Sequence, residues 1–267
     1  MNTKTYFDNK VVWITGASSG IGKEFCIQLD QMGAILILSS RNENALFALK
    51  ESLSHSEKHQ IQVLDLEDSS EFKNMTDSII SSHKKIDLLI NNGGISQRSN
   101  VAETDLSIDR KIMEINFFGN VALSKAVLPH MIKNKSGHIV VISSIAGKFG
   151  FFLRSAYSAS KHALHGFYES LALEQKDNGI NITIVCPGKI NTPISTNALN
   201  KEGEKNGQMD DNQRHGLPVS KCVKKILKDV AKKKEESFVG GKEIYAVKIK
   251  NLFPRIFRKI IRKQSPT

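Results

Sequence analysis

The chain is 267 residues long and 40% hydrophobic, with a formal net charge of +11, which fits one large globular domain and leaves little room for a second. No apolar run approaches the roughly 20 residues of a membrane span, and the polar N-terminus lacks the apolar core of a signal peptide, so a cytoplasmic location is expected. Three scattered cysteines, Cys26, Cys186 and Cys222, show neither a disulfide framework nor metal-ligand spacing, so we expect a reducing compartment and no metal.

The positive charge is confined to one end of the chain. Residues 1–220 contain 23 basic and 23 acidic residues, whereas residues 221–267 contain 15 basic and 4 acidic residues. Because no groove-reading or aromatic motif accompanies this charge, we expect no nucleic-acid binding.

Seven short runs of apolar residues predict β-strands, with helix-length segments between them. Several runs are apolar throughout, as strands must be when helices cover both faces of a sheet. The alternation of strands and helices implies parallel strands joined by right-handed crossovers. The predicted strands are 10–15, 34–39, 61–65, 86–90, 138–143, 180–185 and, less clearly, 237–240.

A glycine-rich loop follows the first predicted strand and opens a helical segment. Gly16, Gly20 and Gly22 allow a tight turn, a close approach of the backbone to a pyrophosphate, and packing of the helix on the strand. The N–H groups at the helix start attract phosphates, so this context indicates a dinucleotide site where a glycine trio alone would be weak evidence. The predicted fold is α/β: a Rossmann-type doubly wound parallel sheet of about seven strands, with helices on both faces, in a single domain over residues 1–242.

The end of the second predicted strand indicates which dinucleotide binds. An NAD-selective site places an acidic residue there to bind the ribose 2′-hydroxyl, and this sequence has Ser40 and Arg41 instead. The planar guanidinium of Arg41 suits a 2′-phosphate, so we expect NADP(H) rather than NAD(H). The alternative is that Arg41 is only a solvated loop residue.

Tyr157 and Lys161 are four residues apart, which puts both side chains on one face of a helix. A neighbouring ammonium favours the charged form of a phenol, so this pair is suited to exchange a proton with an alcohol or carbonyl oxygen near neutral pH. The spacing alone proves little, because Tyr6 and Lys10 share it. That second pair precedes the first strand, and we expect it to be structural.

Two polar residues upstream distinguish Tyr157. Ser144 lies thirteen residues before it, just after the fifth predicted strand, at the strand ends where doubly wound sheets bind ligands. Its hydroxyl is suited to hold a substrate oxygen beside the phenol, and Ser143 is the alternative for that role. Asn116, between predicted strands, would by itself be an ordinary helix-surface amide.

Together these motifs strongly resemble the short-chain dehydrogenase/reductase family, single-domain branch, over roughly residues 8–245. The resemblance implies an oxidoreductase in which Tyr157 is the acid/base and Ser144 polarises the substrate. It implies that Lys161 lowers the pKa of Tyr157 and binds the nicotinamide ribose. It also implies that Asn116 anchors a water in a proton relay to Lys161.

The same resemblance implies the cofactor contacts. It maps Asp65 and Leu66 to the adenine, Asn92 to the adenosine ribose, and the segment 187–192 to the nicotinamide. Gly93 stands where the family usually has alanine, a change that we expect to be tolerated. The full predicted cofactor set is Gly16, Ser18, Ser19, Gly20, Ile21, Gly22, Ser40, Arg41, Asp65, Leu66, Asn92, Gly93, Gly94, Tyr157, Lys161, Pro187, Gly188, Ile190 and Thr192.

Residues 91–98, 128–131 and 159–163 most resemble the member 7 and 7B branch of the family, which includes carbonyl, steroid and retinoid reductases. The predicted reaction interconverts a ketone or aldehyde and an alcohol, and the resemblance implies a homodimer or homotetramer. One alternative is a catalytically idle nucleotide-binding or regulatory protein on the same fold. Another is an epimerase or dehydratase, for whose added substrate domain the chain is too short.

Two segments are predicted to shape the substrate side. By resemblance, residues 190–216 form a flexible lid over the substrate. Phe149, Phe151, Phe152 and Leu153 lie between Ser144 and Tyr157 in the sequence, where they either line an apolar pocket or pack as ordinary core. The pocket hypothesis favours a lipophilic ketone or aldehyde.

The tail over residues 243–267 is a predicted basic amphipathic helix. Its apolar stripe is surrounded by basic residues, a pattern that allows peripheral contact with an anionic membrane surface. The alternative is that the stripe packs on the domain or on a neighbouring subunit. The stripe consists of Phe253, Ile256, Phe257, Ile260 and Ile261, and the basic residues are Arg255, Arg258, Lys259, Arg262 and Lys263.

Overall fold

The computed structural model describes residues 2–264, which contain nine strands. Seven of these strands form one parallel sheet in the order β3-β2-β1-β4-β5-β6-β9, and β7 pairs separately with β8. The strands are β1 (Val11–Thr15), β2 (Ile35–Ser39), β3 (Gln60–Ile61), β4 (Leu88–Asn91), β5 (Gly137–Ile142), β6 (Ile180–Pro187), β7 (Ile190–Asn191), β8 (Leu217–Pro218) and β9 (Glu236–Val239).

The strand order reverses direction between β1 and β4, which are neighbours in the sheet although β2 and β3 separate them in the chain. At such a switch point the loops leaving the two strands diverge to opposite faces and open a crevice at the carboxyl ends. The predicted doubly wound parallel sheet is confirmed, and the crevice lies beside the glycine-rich loop.

The third predicted strand is shorter than the sequence indicates. The prediction was 61–65, and the strand ends at Ile61. Two further backbone bonds, from Gln62 N to Leu38 O (3.0 Å) and from Leu64 N to Ser40 O (3.2 Å), continue beside β2. Because β3 is an edge strand, it has only this one neighbour to hold the rest of its residues extended.

Helices cover both faces of the sheet. Among residues 2–264, none of the helices combines the length and the apolar composition of a membrane span. A five-residue π-helical turn, Glu114–Phe118, joins two of them. The helices are α1 (Thr3–Phe7), α2 (Gly20–Gln31), α3 (Glu43–Glu51), α4 (Phe72–His83), α5 (Leu106–Met113), α6 (Gly119–Lys133), α7 (Ser155–Glu174), α8 (Asp211–Arg214), α9 (Val219–Ala231), α10 (Tyr245–Leu252) and α11 (Pro254–Ile261).

Two apolar layers hold the helices to the sheet. Side chains of α2 and α9, such as Phe25 and Ile226, pack on one face, and side chains of α4, α6 and α7, such as Tyr168, pack on the other. Strand residues such as Ile14 and Trp13 alternate between these layers and are fully buried. This two-sided burial explains why the predicted strands are continuously apolar. The three cysteines are buried and unpaired.

The C-terminal tail forms two helices rather than the one predicted amphipathic helix. Phe253 lies between α10 and α11, and Pro254 begins α11, where a missing N–H is tolerated although it would break a helix interior. Val247 and Phe257 pack on Phe149 of the domain. Residues 265–267 of the predicted tail lie outside the described residues.

Candidate active site

A cavity of about 1170 Å³ opens at the carboxyl ends of the central strands. All the predicted catalytic and cofactor residues line it except Gly22 and Asn116. The tertiary structure therefore brings together segments that are more than 170 positions apart in the sequence, from Gly16 to Thr192.

The glycine-rich loop has conformations and contacts that require glycine. Gly16 and Gly20 have φ angles of 64° and 53°, in the left-handed region that disfavours side chains with a Cβ. A Cβ on Gly22 would lie 2.1 Å from the carbonyl oxygen of Gly16. Gly22 is thus a packing glycine behind the cavity wall, and the absence of side chains leaves the backbone of the loop open to a ligand.

Thr15 and Asn92 tie the ends of β1 and β4 together. The Thr15 hydroxyl accepts from the backbone N–H groups of Asn92 (3.0 Å) and Gly93 (2.9 Å), and the Asn92 amide donates to Thr15 O at 3.0 Å. These bonds fix the switch point where the two loops diverge. The predicted contact of Asn92 with a ribose stays a prediction.

Leu66 occupies the space beside Gly93. A Cβ on Gly93 would lie 2.5 Å from Leu66 Cδ1 and 3.3 Å from Thr15 Oγ1. The leucine end therefore fills the volume that a methyl at position 93 would take, which is a physical reason why this chain accommodates glycine where the family usually has alanine.

Arg41 follows β2 at the rim of the cavity, where it is exposed. Asn42 beside it caps α3 by accepting from Ala45 N at 3.0 Å, which orients the start of that helix. None of the hydrogen bonds or ion pairs formed among residues 2–264 involves the Arg41 guanidinium. It is available to an anionic group of a ligand.

Tyr157 and Lys161 lie on one face of α7, and both side chains are buried. The Lys161 ammonium donates to the Ile142 carbonyl oxygen at 2.8 Å and lies 5.8 Å from the centre of the Tyr157 ring. Burial lowers the pKa of Lys161 to about 8, because a charged amine loses its hydration. An amine with this pKa titrates just above neutral pH.

The pKa of Tyr157 is held between opposing effects. Burial raises it, while a hydrogen bond from Ser144 and the charges of Arg98 and Arg154 lower it. The net pKa in the protein without ligand lies above the ordinary value. The influence of Lys161 on this pKa, which the family resemblance implies, stays a prediction.

Two serines at the end of β5 have different partners. The Ser144 hydroxyl accepts from Ala146 N at 3.1 Å, donates to Pro187 O at 3.5 Å, and lowers the pKa of the Tyr157 phenol. The Ser143 hydroxyl donates to the Lys161 carbonyl oxygen at 3.1 Å and lies 3.1 Å from His165 Nε2. This arrangement favours Ser144 over Ser143 as the hydroxyl that meets a substrate oxygen beside the phenol.

Asn116 is buried in the π-helical turn, behind the cavity wall. Its Oδ1 accepts from Ile95 N at 2.8 Å, and its Nδ2 donates to Ile95 O at 2.9 Å and Ser160 Oγ at 3.0 Å. A π-helical turn interrupts the regular helix pattern and is often found at functional sites. Here it aims Asn116 at the loop after β4, so the residue is not the helix-surface amide that its sequence context alone indicates.

Gly94 separates Asn116 from Lys161. A Cβ on Gly94 would lie 2.9 Å from Asn116 Oδ1 and 3.6 Å from Lys161 Nζ. The two polar side chains therefore converge on the same small volume. Their predicted proton relay stays a prediction.

Gln97 was not identified from the sequence, although it supports the catalytic helix. Its buried side-chain oxygen accepts from Ala156 N at 2.9 Å and from Tyr157 N at 3.4 Å. The first N–H groups of a helix have no partner within the helix, and α7 has no side-chain cap of its own. Gln97 thus supplies the N-terminal cap of the helix from a distant loop.

An ion cluster of Arg98, Arg154 and Asp210 also escaped the sequence analysis. Arg98 Nε lies 3.1 Å from both Asp210 carboxylate oxygens, and Arg98 Nη2 and Arg154 Nη2 lie 2.5 and 2.7 Å from Oδ2. All three residues line the cavity. The cluster attaches the segment 190–216 to the loop after β4, and Arg98 N reinforces it by donating to Leu199 O at 2.7 Å.

Glu243, which follows β9, holds the segment 187–192 that is predicted to contact the nicotinamide. Glu243 accepts from Lys189 N at 2.8 Å, and a Cβ on Gly188 would lie 2.3 Å from the same carboxylate. Ile190 in β7 and Thr192 just after it are buried. The glycine at 188 is required by this close approach of Glu243.

The substrate side of the cavity has an apolar wall beside the ion cluster. Phe149 and Phe151 line it, as the pocket hypothesis predicts, while Phe152 is 42% exposed outside it. Residues of the segment 190–216 and the α11 residues Phe257 and Ile261 complete this wall. The contribution of α11 was not expected from the sequence.

The second tyrosine–lysine pair is structural, as predicted. The Tyr6 hydroxyl lies 3.0 Å from the buried Nδ1 of His138, and the Lys10 ammonium lies over the Tyr6 ring. Both residues are at the amino end of the sheet, away from the cavity.

The fold and the site together define a class of protein: a single-domain Rossmann-type protein with a tyrosine, a lysine and a serine beside its glycine-rich loop. A profile of the short chain dehydrogenase family matches residues 10–203. Dehydrogenase/reductase SDR family member 7B of Mus musculus is 39% identical over 98% of this chain and 83% of its own length. Member 7 of the same species is 41% identical over 86% of this chain and 70% of its own length. The chain therefore belongs to the short-chain dehydrogenase/reductase family of oxidoreductases.

Solved structures agree with this fold. A short-chain dehydrogenase from Streptomyces avermitilis superposes with a TM-score of 0.77 at 26% identity, covering 96% of this chain and 98% of its own. A short chain dehydrogenase/reductase from Burkholderia phymatum, solved in complex with NAD, superposes with a TM-score of 0.82 at 22% identity and covers 98% of both chains.

Proposed function

We propose that this protein is an NADP(H)-dependent oxidoreductase that interconverts a lipophilic ketone or aldehyde and the corresponding alcohol. The observation that carries the proposal is that Ser144 and the buried Tyr157 line the same cavity as the glycine-rich loop, with Ser144 near enough to lower the pKa of the Tyr157 phenol. A hydroxyl and a phenol at one point are suited to hold and protonate a single substrate oxygen.

The cavity fits a nicotinamide dinucleotide. The bare backbone at Gly16 and the N-terminus of α2 would hold the pyrophosphate, and the segment from Pro187 to Thr192 would hold the nicotinamide. The cofactor bound to the Burkholderia neighbour supports this class of ligand. When bound, a reduced nicotinamide supplies a hydride to the substrate carbon.

Arg41 supports NADP(H) as the form of the cofactor. Its exposed guanidinium lies at the end of β2, where a 2′-phosphate would accept two charge-assisted hydrogen bonds. The three residues directly after β2, Ser-Arg-Asn, include no acidic side chain to repel that phosphate.

The residues of the chain account for the proton. In the direction of reduction, Tyr157 donates its phenolic proton to the carbonyl oxygen as that oxygen gains negative charge, and Ser144 donates a hydrogen bond to the same oxygen. The phenolate left on Tyr157 is stabilised by the positive charges of Arg98 and Arg154. Lys161, whose pKa is about 8, is suited to return a proton to the site.

The apolar wall supports a lipophilic substrate. Phe149, Phe151, Phe257 and Ile261 line the cavity, so an apolar substrate would release water from these surfaces on binding.

A screen of NADPH oxidation over a panel of ketones and aldehydes tests the proposal. We expect turnover of lipophilic carbonyls and a lower KM for NADPH than for NADH. Arg41→Ala should weaken that preference by about 10- to 100-fold, the value of charge-assisted hydrogen bonds. Turnover confined to small polar carbonyls, or a preference for NADH, would contradict it. Binding of NADPH without turnover of any carbonyl would favour an idle nucleotide-binding protein instead.

We further propose a homodimer or homotetramer that forms through the helices flanking the site. Phe118 at the start of α6 and Leu173 on α7 are 50% and 80% exposed, which supports contact with another subunit. Light scattering of the purified protein should show two or four chains, and Leu173→Glu should lower that number. A monomer at micromolar concentration would contradict the proposal.

A further inference from the structure

The C-terminal helices carry an apolar surface that the rest of the described chain leaves uncovered. Leu252, Phe253, Ile256 and Ile260 are 42–70% exposed and lie within one stretch of nine residues. Elsewhere in residues 2–264 the exposed large apolar side chains are scattered along the chain. Single exposed apolar residues are ordinary on a protein surface, whereas a cluster indicates a contact.

Helix α11 has two apolar rows that face different surroundings. Phe257 and Ile261, four residues apart, face the domain, and the Phe257 ring lies 5.1 Å from the Phe149 ring. Ile256 and Ile260, also four apart, form the second row and remain about half exposed. The helix therefore has more apolar surface than its contact with the domain uses.

Basic side chains border the uncovered row. Lys259 and Lys263 follow Ile256 and Ile260 by three positions, which places them alongside on the helix. Both lysines are exposed. So are Arg255 and Arg258 in α11 and Arg262 directly after it. The ion pairs formed among residues 2–264 involve none of these basic groups.

An apolar row bordered by unpaired basic groups matches the surface of an anionic lipid bilayer. Isoleucine and phenylalanine side chains enter the boundary between headgroups and acyl chains, and the lysine and arginine heads contact lipid phosphates. A second copy of the chain would fit less well, because a symmetric interface through this surface sets the same basic groups against each other.

We propose that α10 and α11 attach this protein to anionic lipid surfaces, with Phe253 and Ile256 inserted at the level of the headgroups. The same helix lines the cavity through Phe257, Ile260 and Ile261. Attachment therefore brings the apolar side of the cavity next to the lipid. A lipophilic carbonyl dissolved in the bilayer then reaches the cavity without crossing water, and this last step rests on the proposed function.

Co-sedimentation of the full chain with lipid vesicles tests the attachment. Vesicles of phosphatidylcholine with about one third phosphatidylglycerol should bind the protein at least about tenfold more tightly than vesicles of phosphatidylcholine alone. Phe253→Ser combined with Ile256→Ser should weaken this binding by at least about tenfold. Both residues lie outside the cavity lining, so cofactor binding should be unchanged.

Matched control variants separate this surface from general stickiness and charge. Phe47→Ser with Val101→Ser removes two other exposed apolar side chains, and both changes together should leave vesicle binding within about twofold. Arg255→Gln, Lys259→Gln and Lys263→Gln should abolish the preference for anionic vesicles. Lys221→Gln, Lys224→Gln and Lys228→Gln remove the same number of charges from the exposed face of α9. These changes should leave the preference for anionic vesicles in place.

Three outcomes would overturn the attachment. One is negligible binding of the wild-type chain to anionic vesicles, and another is unchanged binding of the Phe253/Ile256 variant. The third is a lipid-free dimer that this variant converts to monomer, which would identify a second copy as the occupant of the surface.

An activity assay tests the delivery of substrate separately. The Phe253/Ile256 variant should equal wild type on a lipophilic ketone in buffer and be at least about fivefold slower when the ketone is held in anionic vesicles. Equal rates of both proteins on the vesicles would contradict delivery. If the wild type turns over no carbonyl in buffer, the proposed function fails, while vesicle binding still decides the attachment.

Discussion

The two sides of the cavity are built from different materials. The nucleotide side consists of short loops between strands and helices, where backbone groups approach closely at Gly16 and Gly22. The substrate side includes the long segment 190–216 and α11, which are held by side-chain contacts and, at Leu199, by backbone bonds to the loop after β4. Close packing of the backbone fixes one geometry for these loops, which suits a cofactor that is the same in every reaction cycle. Side-chain contacts between distant segments tolerate substitution, so we expect substrate preference to reside in them.

The largest expected effect falls where the two sides meet. Tyr157→Phe keeps the ring and removes only the hydroxyl that exchanges a proton, so turnover should fall by about 10²- to 10⁴-fold. The dissociation constant of NADPH, measured by its fluorescence, should change by less than about threefold, because the loop at Gly16 is untouched. Activity within tenfold of wild type would show that Tyr157 is not the acid/base.

The next effect should be confined to the substrate side. Asp210→Asn leaves Arg98 and Arg154 without their shared buried carboxylate, and breaking a buried ion pair of this kind costs about 3–5 kcal/mol. We expect a higher KM for the carbonyl substrate and earlier proteolysis within 190–216, with NADPH affinity retained. Asp211→Asn, at an exposed pair with Arg214, is the control and should change neither. A large loss of NADPH affinity in Asp210→Asn would mean that the two sides are not independent.

A smaller effect is expected from the nucleotide side. The Cβ of Gly22→Ala would lie 2.1 Å from the Gly16 carbonyl oxygen, which backbone movement must relieve at about 1–3 kcal/mol of unfolding free energy. NADPH should bind more weakly. Gly166→Ala is the matched control, since no atom lies within 4 Å of its Cβ in the exposed part of α7, and it should add up to about 1 kcal/mol of stability. Urea denaturation measures both, and equal effects of the two changes would remove the packing argument for Gly22.

The last effect concerns pH. Burial lowers the pKa of Lys161 from 10.5 to about 8, so between these values the unfolded chain binds more protons than the folded protein. Stability contributed by this group therefore rises with pH from about 8 to 10.5. Other groups titrate in the same range, so the measurement is the difference in Tm between Lys161→Met and wild type without cofactor. The variant should be relatively most stable below pH 8, and its advantage should shrink as pH rises. A constant difference would place the Lys161 pKa outside this window.

Much of the fold and the site follows from local sequence patterns. The strands of the sheet, except for the early end of β3, lie within a few residues of the predicted runs, because burial on both faces demands continuous apolar residues. Local patterns identified four residues that line the cavity: a tight turn identified Gly16, a strand end identified Ser144, and the spacing of one helix turn identified Tyr157 and Lys161. In each case the relevant geometry is contained in a few consecutive residues.

The missed residues act across long separations. Gln97 caps a helix 59 positions further on, and Arg98 pairs with Asp210 at a separation of 112 positions. A glutamine or an arginine in a polar loop has no local pattern that names its partner. The chemistry of a side chain indicates which groups it is able to bind, and only the folded chain shows which of those groups lie within reach.

The sequence by itself determined the parallel α/β architecture and the glycine-rich loop, and it singled out the tyrosine that lines the cavity, because backbone preferences and residue spacing act locally. The tertiary structure decided that the tail divides at Phe253, that one apolar row of α11 closes the cavity and that the other stays uncovered. These features depend on packing between the last helix and the loop at Phe149, more than 100 residues earlier. An amphipathic pattern shows that a helix has an apolar face, and only the three-dimensional surroundings show how much of that face is buried.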